Sequence, residues 1–334
     1  MEAYGMHLLG VDGGGTKTAF MVMNEQGRIV SRATLGSLDW FQIGAQGLAR
    51  TLEQGIGLVC GEAGIDRSEL SYAMLGVPCL GDELVDEEPV VRDIIRQVMR
   101  HDRFEAVNDA EVGWAGSLAC QPGIHLVSGT GAIGYGVDSS GRTARASGWG
   151  YAVGDEGSAY WLGRLLLATF TREADGREER SMIYEVVRSH FGLSDDFQLL
   201  KVVQQEWHWN RERIAGLALL LHQVAKAGES KAVRAFEQAA CELSLIVRSI
   251  ARQLQFGAEQ GDVPVSYSGG VFQAGAYMIE PLRAQLADGR FSLIRPIFEP
   301  AAGAALYAYK RLRPGADLTG IARSLQEQTA GGSV

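Results

Sequence analysis

Apolar positions in the first third of the chain come in short runs and then switch to steps of three or four, the mark of strands alternating with helices. Leu8, Leu9 and Val11 form a strand-like run, residues 19–23 are apolar and partly β-branched, and Ile29-Val30 resumes an extended pattern after the turn residues Asn24-Glu25-Gln26-Gly27. Leu48, Leu52, Ile56 and Val59 fall on one helical face. Residues 72–77 predict a strand closed by Pro78, and Pro89 suits the first position of a helix carrying Val91, Ile94, Ile95 and Val98. Residues 105–110 then form a short strand ending in an acid, and 111–119 a helix of small residues. The alternation predicts a mixed or parallel sheet covered by helices.

Between the first two strands stands Asp12, then Gly13-Gly14-Gly15, then Thr16, Lys17 and Thr18. Backbone N–H groups, hydroxyls and one cation converge there, which is chemistry for holding phosphate. Lys17 follows a threonine and a strand follows the turn, so this is a β-hairpin and not a Walker A loop. A second copy begins at Ile124, 118 residues separating His7 from His125: an apolar strand, the turn Ser128-Gly129-Thr130-Gly131, a second strand, and the polar turn Asp138-Ser139-Ser140-Gly141-Arg142. Gly129-x-Gly131-x-x-Gly134 matches the dinucleotide fingerprint, but that fingerprint must open a helix, and here a strand follows. Two related lobes, each with a phosphate hairpin, imply a nucleotide clamped in a cleft between them.

Further along, residues 146–158 (ASGWGYAVGDEGS) are too glycine-rich for a core strand and present Trp149 with the adjacent acids Asp155 and Glu156 ahead of a helix over 159–170. A capping acid and a packed tryptophan would account for this segment; so would a sugar site, since aromatic faces beside carboxylates hold sugars by stacking and hydrogen bonds. Residues 181–257 read as largely helical scaffold, with Trp207, His208 and Trp209 as a surface aromatic cluster or subunit contact. A strand over 263–267 enters Ser268-Gly269-Gly270, a third glycine turn that lets backbone approach a flat ligand such as adenine closely. Pro300 opens a last helix rich in Ala and Gly, and the small-residue helices at 110–119 and 301–308 would make a compact hinge.

Composition narrows the setting. The 334 residues suffice for two domains, and 46% hydrophobic, 21% charged and 8 prolines describe a folded chain. A formal charge of −9, with no basic run interleaved with aromatics, argues against nucleic-acid or anionic-membrane binding, so phosphate must be handled locally with a metal. Cys60, Cys79, Cys120 and Cys241 lack the spacing of a disulfide framework or a zinc site. No window approaches the ~18 apolar residues of a membrane span and no basic n-region leads into an apolar run, so a cytoplasmic protein is expected.

Asp109 is open to two readings. It could be a helix N-cap. It also stands at the carboxyl end of a strand, just before the chain crosses to the second hairpin, where α/β proteins bind ligands, and that placement favours function.

Taken in order, GVDGGGTKT at 10–18, NDAEVGWAGS at 108–117, SGTGAIGYG at 128–136, GWGYAVGDEGSAYWLG at 148–163, YSGGVF at 267–272 and PAAGAALYA at 300–308 resemble the actin, sugar-kinase and heat-shock chaperone ATPase superfamily. Within it the chain closely resembles the N-acetylglucosamine kinase branch, grouped with the BadF/BadG-type ATPases. The GWG…GDEGSAYW run is the most specific match; the glycine hairpins are shared more widely. The resemblance implies an α/β, two-lobed actin-like ATPase (ribonuclease H-like) fold. Its lobes would be residues 1–120 and 121–334, with a helical insertion in the second and a last helix, about 301–313, that could pack back on the first.

The resemblance also implies ATP and Mg²⁺ as cofactors, with Asp12 ordering the magnesium shell through water. Gly14, Gly15, Thr16 and Lys17 would hold phosphates, Thr130 and Gly131 would meet them from the second lobe, and Gly269 and Gly270 would meet the adenosine. Asp109 would be the catalytic base, while Asp39, Gly148, Trp149 and Asp155 would line the sugar pocket together with it. Asp39 stands where the family usually has asparagine, and Ser147 where glycine is frequent, so the identity of the sugar is the least constrained point. The expectation is an amino-sugar kinase acting on the 6-hydroxyl of N-acetylglucosamine. A kinase for glucosamine or another amino sugar, and an ATP-switched binding module without a sugar, are the alternatives. A homodimer through the helical lobe is compatible with this reading.

Overall fold

The computed structural model describes residues 5–82, 84–256, 261–287 and 291–330. The chain divides into two compact units, one comprising Met1–Gln121 and Arg295–Val334 and the other Pro122–Ile294.

Unit 1 is built on β1 (His7–Gly13), β2 (Thr18–Asn24), β3 (Ile29–Leu35), β4 (Leu70–Val77) and β5 (Phe104–Asn108), in the order β3-β2-β1-β4-β5. The first three strands form an antiparallel meander and β1, β4 and β5 run parallel. That arrangement buries β1 on both faces and accounts for its unbroken apolar run. Asn24 shapes the β2–β3 turn by accepting from the N–H groups of Gln26 and Arg28 at 3.1 and 2.9 Å.

One face of the sheet is covered by α1 (Trp40–Ala63), whose helical path breaks at Gly44, and by α2 (Glu88–Met99), where Pro89 is the second residue and Glu88 the first. Leu48, Leu52, Ile56 and Val59 are buried here, with Val91, Ile95 and Val98. Associated with the same sheet are α3 (Asp109–Ser117) and α10 (Pro300–Leu312), helices of small residues for a steric reason. A Cβ on Gly303 would lie 2.0 Å from the Gly116 nitrogen, and one on Gly10 of β1 would lie 2.1 Å from the Ala301 carbonyl oxygen. Backbone therefore packs directly on backbone. The last helix, α11 (Thr319–Ala330), reaches the β2–β3 turn, where Gln328 donates to the Gly27 carbonyl and accepts from the Ile29 N–H.

Unit 2 repeats the sheet plan with β6 (Gly123–Ser128), β7 (Ala132–Val137), β8 (Thr143–Ser147), β9 (Val263–Ser268) and β10 (Phe291–Ile294). The order β10-β9-β6-β7-β8, read from its other edge, is that of unit 1, with the same parallel and antiparallel senses. Between β8 and β9 the chain forms α4 (Ala159–Ala174), α5 (Met182–Phe191), α6 (Gln198–Leu200) continuing into a π-helical turn (Lys201–Glu206), α7 (Arg211–Lys226) and α8 (Ser230–Gln253). After β9 comes α9 (Ala276–Gln285), which carries Pro281 inside it. Glycines again set the packing distance: Gly134 and Gly136 of β7 admit Ile246 and Ile250 of α8, and Gly163 of α4 lies against the Ile214 carbonyl. Among the described residues no helix is long and apolar enough to cross a membrane.

Candidate active site

In unit 1, Asp12 is the next-to-last residue of β1, and its neighbour across the parallel pairing is Gly76 of β4, which in turn pairs with Val107 of β5. The β1–β2 turn holds Gly14, Gly15, Thr16 and Lys17, with the last three exposed. The Leu38 N–H donates to the Gly14 carbonyl at 3.0 Å and the Thr18 hydroxyl to the Gly36 carbonyl at 2.8 Å, so the segment after β3 is fastened to this turn. That brings Asp39 close. It caps α1 by accepting from the Phe41 N–H at 2.9 Å through Oδ1, and its Oδ2 accepts from the Gln42 side-chain amide at 3.0 Å.

Asp109 resolves differently from a capping residue. Asn108 is the N-cap of α3, its side chain accepting from the Ala110 N–H at 3.0 Å, and Asp109 is the first helical residue. The helix starts two residues before the expected 111 because Asn108, not Asp109, satisfies its first free donor. The Asp109 carboxyl is thus left available at the strand ends beside Gly76, whose built Cβ would lie 3.4 Å from the Asp109 Cα.

These carboxyls sense one another. Asp12 is pushed up to about 7, first by burial, then by the charge of Asp109 and more weakly by Glu299, with Lys17 acting in the opposite direction. Burial also pushes Asp109 up to about 6, opposed by N–H donors of its own backbone and of Ala110, while Asp39 adds to the rise. Glu299, which sequence reasoning missed, is the N-cap residue of α10 without a side-chain capping bond, and lies 3.4 Å from Arg32. Its only sequence signal was its place before Pro300. Among the described residues no three His, Cys, Asp or Glu side chains are gathered as a closed metal cage.

Unit 2 brings a different set together. The Gly129 and Thr130 carbonyls accept from the Ala159 and Tyr160 N–H groups at the start of α4, at 2.8 and 3.4 Å, and the Ser128 hydroxyl donates to the Gly157 carbonyl at 2.8 Å. The second hairpin turn is thereby joined to the GDEGS segment. Asp155 itself is 2% exposed and left-handed at φ 61°. Its carboxylate accepts from Arg211 Nη2 at 3.1 Å and from the Ala132 N–H. Burial raises its pKa and Arg211 counters the rise. A Cβ on Gly131 would lie 2.6 Å from Arg211 Nη2 and 2.7 Å from Asp155 Oδ2, so a side chain there would displace this ion pair.

A cavity of about 410 Å³ opens beside the turn, lined by Gly129, Thr130, Glu212, His222, Phe236 and Gly270 among others. Gly269 is outside its lining and supports it: at φ 106° its built Cβ would be 2.2 Å from the Ser128 carbonyl oxygen. The expected residues Thr130 and Gly270 therefore meet in one cavity, and Gly131 meets Asp155. Trp149 does not pack as a core tryptophan; it is 76% exposed. Gly148, at φ 75°, lies against Ile133, with its carbonyl accepting from Arg145 at 3.0 Å. Ser147 is left-handed at φ 62°, which explains why glycine suits this position.

Residues 9–308 match the model of the BadF/BadG/BcrA/BcrD ATPase family. The chain belongs to that family. Membership makes ATP the nucleotide. Among relatives of this BadF/BadG-type ATPase, the N-acetylmuramic acid/N-acetylglucosamine kinase of Clostridium acetobutylicum is 27% identical over 83% of this chain and 89% of its own length. The N-acetyl-D-glucosamine kinase of Dictyostelium discoideum is 24% identical over 90% of this chain and 97% of its own. A crystal structure of a candidate N-acetylglucosamine kinase from Chromobacterium violaceum superposes with a TM-score of 0.71 at 25% identity, covering 91% of this chain and 99% of that one. The two-lobed actin-like ATPase fold expected from the motifs is the fold this chain adopts.

Proposed function

We propose that this BadF/BadG-type ATPase is an ATP- and Mg²⁺-dependent kinase that phosphorylates the 6-hydroxyl of N-acetylglucosamine. The observation that carries the reading is Asp109: an acid relieved of capping by Asn108, held at the first turn of α3, with its carboxyl pushed up to about 6. A base of that strength is largely ionised at neutral pH and still accepts a proton readily, which suits general-base work on an alcohol. The names of the Clostridium and Dictyostelium relatives support the choice of sugar.

The remaining roles follow from the donors each residue offers. Gly14, Gly15, Thr16 and Lys17 bind phosphate through N–H, hydroxyl and ammonium groups; Thr130 and Gly131 do the same from the second turn, and the cavity behind Thr130 and Gly270 takes the nucleoside. Asp39, Gly148, Trp149 and Asp155 are assigned to the sugar. Magnesium fits Asp12, whose carboxyl sits in a field of other carboxyls countered by Lys17, and Mg²⁺ is typically held by one or two carboxylates plus phosphates instead of a closed protein cage. Bound there, the ion would neutralise phosphate charge. Phosphoryl transfer asks the protein mainly to position reactants and offset charge.

The test is ADP release from ATP with a panel of sugars. Turnover that depends on N-acetylglucosamine supports the proposal. Slow hydrolysis indifferent to every sugar overturns it in favour of an ATP-switched module, and a preference for glucosamine moves the substrate to the free amine.

A further inference from the structure

Arg211 is the first residue of α7, directly after the capping Asn210, in a helical stretch whose sequence pattern suggested scaffold alone. Its guanidinium lies over the second glycine turn, with Nη2 3.1 Å from the buried Asp155 carboxylate and 2.6 Å from where a Gly131 Cβ would stand. Its Nε is buried without a hydrogen-bond partner. Among the described residues the side chain's one hydrogen bond is to Asp155, and its other neighbour is the Tyr151 ring, 5.5 Å from the guanidinium carbon.

A guanidinium carries five N–H donors, and a buried donor left without an acceptor costs stability, so such a group at a ligand site points to an acceptor brought by the ligand. The lining of the cavity indicates which part of the ligand that is. Gly129 and Thr130 line it on one segment and Glu212 on another, and their sequence neighbours, Gly131 after Thr130 and Arg211 before Glu212, meet beside that lining. A nucleoside seated in the cavity would have the glycine turn beside it for its phosphates, and a phosphate chain running from Gly129 toward Gly131 would end at Arg211. Asp155 fixes the guanidinium on the turn through Nη2, and the side chain, 36% exposed, keeps Nη1 for an anion, with a small turn of the guanidinium bringing the buried Nε to the same ligand.

We propose that Arg211 is a nucleotide-binding residue that contacts the terminal phosphate of ATP, and so discriminates the triphosphate from the diphosphate. The inference rests on the functional reading above in taking the cavity as the nucleoside site.

The experiment is calorimetric titration, without sugar and with Mg²⁺, of the wild type, Arg211→Gln and Arg211→Lys with ADP and with a non-hydrolysable ATP analogue bearing an imido bridge. In Arg211→Gln the ADP affinity should stay within about twofold, which also shows that the site is folded. The analogue's affinity should fall roughly tenfold to a hundredfold, the loss of a charge-assisted hydrogen bond, and Arg211→Lys should recover part of it. An unchanged ratio of the two affinities in Arg211→Gln overturns the inference, as does an equal loss of affinity for both nucleotides, since Arg211 would then act through Asp155 and the turn. A wild type that binds neither nucleotide overturns the functional reading as well, which separates the two failures.

Discussion

Unit 1 and unit 2 thread the same five-stranded order with the same strand senses, and each turns from its first strand to its second through glycines, yet their charges are arranged in opposite ways. Where unit 1 has Asp12 near the end of β1, unit 2 has Ser128 at the end of β6, its hydroxyl donating to the Gly157 carbonyl. Around Asp12 the charges are mostly like ones, Asp109 and Glu299, countered by Lys17. Around the buried acid of unit 2, Asp155, the charge is answered by Arg211 at 3.1 Å. One backbone plan thus serves two tasks: carboxyls short of cations suit a metal and a proton transfer, while a paired acid beside a cavity suits holding a ligand in place.

The sharpest way to break this contrast is Asp109→Asn. Turnover should fall by about 10²–10⁴, the usual contribution of a general base, while the fold and the sugar affinity persist, because Asn108 and not Asp109 caps α3. In the wild type, kcat/KM should rise with pH through about 6 as Asp109 loses its proton, then level off. Near-normal turnover in a folded variant would remove Asp109 from the mechanism.

Next in size are the two glycine turns. Gly131→Val would drive a side chain into Asp155 and Arg211, and Gly14→Val would place one 2.9 Å from the Lys17 carbonyl. If both turns take phosphate, each should weaken ATP binding by roughly tenfold or more in calorimetry. ATP affinity untouched by either substitution would end the assignment of phosphate to these turns.

A smaller effect, unequal in the two units, concerns stability without ligands. The Asp12 carboxyl is raised from 3.8 to about 7, so the folded chain holds that proton more tightly than the unfolded one, and stability should decline as pH rises from about 4 through 7. Asp12→Asn removes the penalty and should raise the Tm at pH 8 by ~1–2 °C per kcal/mol, a smaller shift than in shorter chains because the unfolding entropy grows with length. The Asp155 carboxyl is also raised, because burial outweighs Arg211, so Asp155→Asn should raise the Tm at pH 8 as well, by less than Asp12→Asn does because Arg211 offsets part of the penalty. Thermal melts of both variants at pH 5 and pH 8 check the signs; a Tm that falls in Asp12→Asn would show that like charges do not govern unit 1.

The repeat of hairpins was legible in the sequence because glycine turns between apolar runs encode backbone geometry directly: a Cβ on Gly269 would meet backbone at 2.2 Å, and one on Gly131 would displace the Asp155–Arg211 pair. The helical periodicities of α1, α2 and α8 were legible for the same local reason. What escaped depends on contacts between distant segments. Two adjacent residues able to cap, Asn108 and Asp109, cannot be ranked until the helix start is fixed. Arg211 meets Asp155 across 56 residues of chain, and nothing around Arg211 in the sequence marks it. The short strands β8 and β10 carry mostly half-buried side chains and gave no alternation to read, while Pro281 inside α9 and the weak apolar stripe of α11 hid those helices.

The smallest effect is expected at Asp39, where the motif resemblance leads one to expect asparagine. An ionised aspartate only accepts hydrogen bonds and would favour a free ammonium at C2 of the sugar, whereas an asparagine both donates and accepts. In this structure neither carboxylate oxygen is idle: Oδ1 takes the Phe41 N–H and Oδ2 the Gln42 amide. A carboxylate with both oxygens already bonded has less capacity to recruit an ammonium, so N-acetylglucosamine should remain the better substrate. Asp39→Asn keeps the cap through its own oxygen and asks only that the Gln42 amide turn over. The ratio of kcat/KM for N-acetylglucosamine to that for glucosamine should therefore change by no more than about threefold, well under the tenfold that 1.4 kcal/mol produces. A wild-type preference for glucosamine that inverts in Asp39→Asn would show instead that the Asp39 charge faces C2 and sets the substrate.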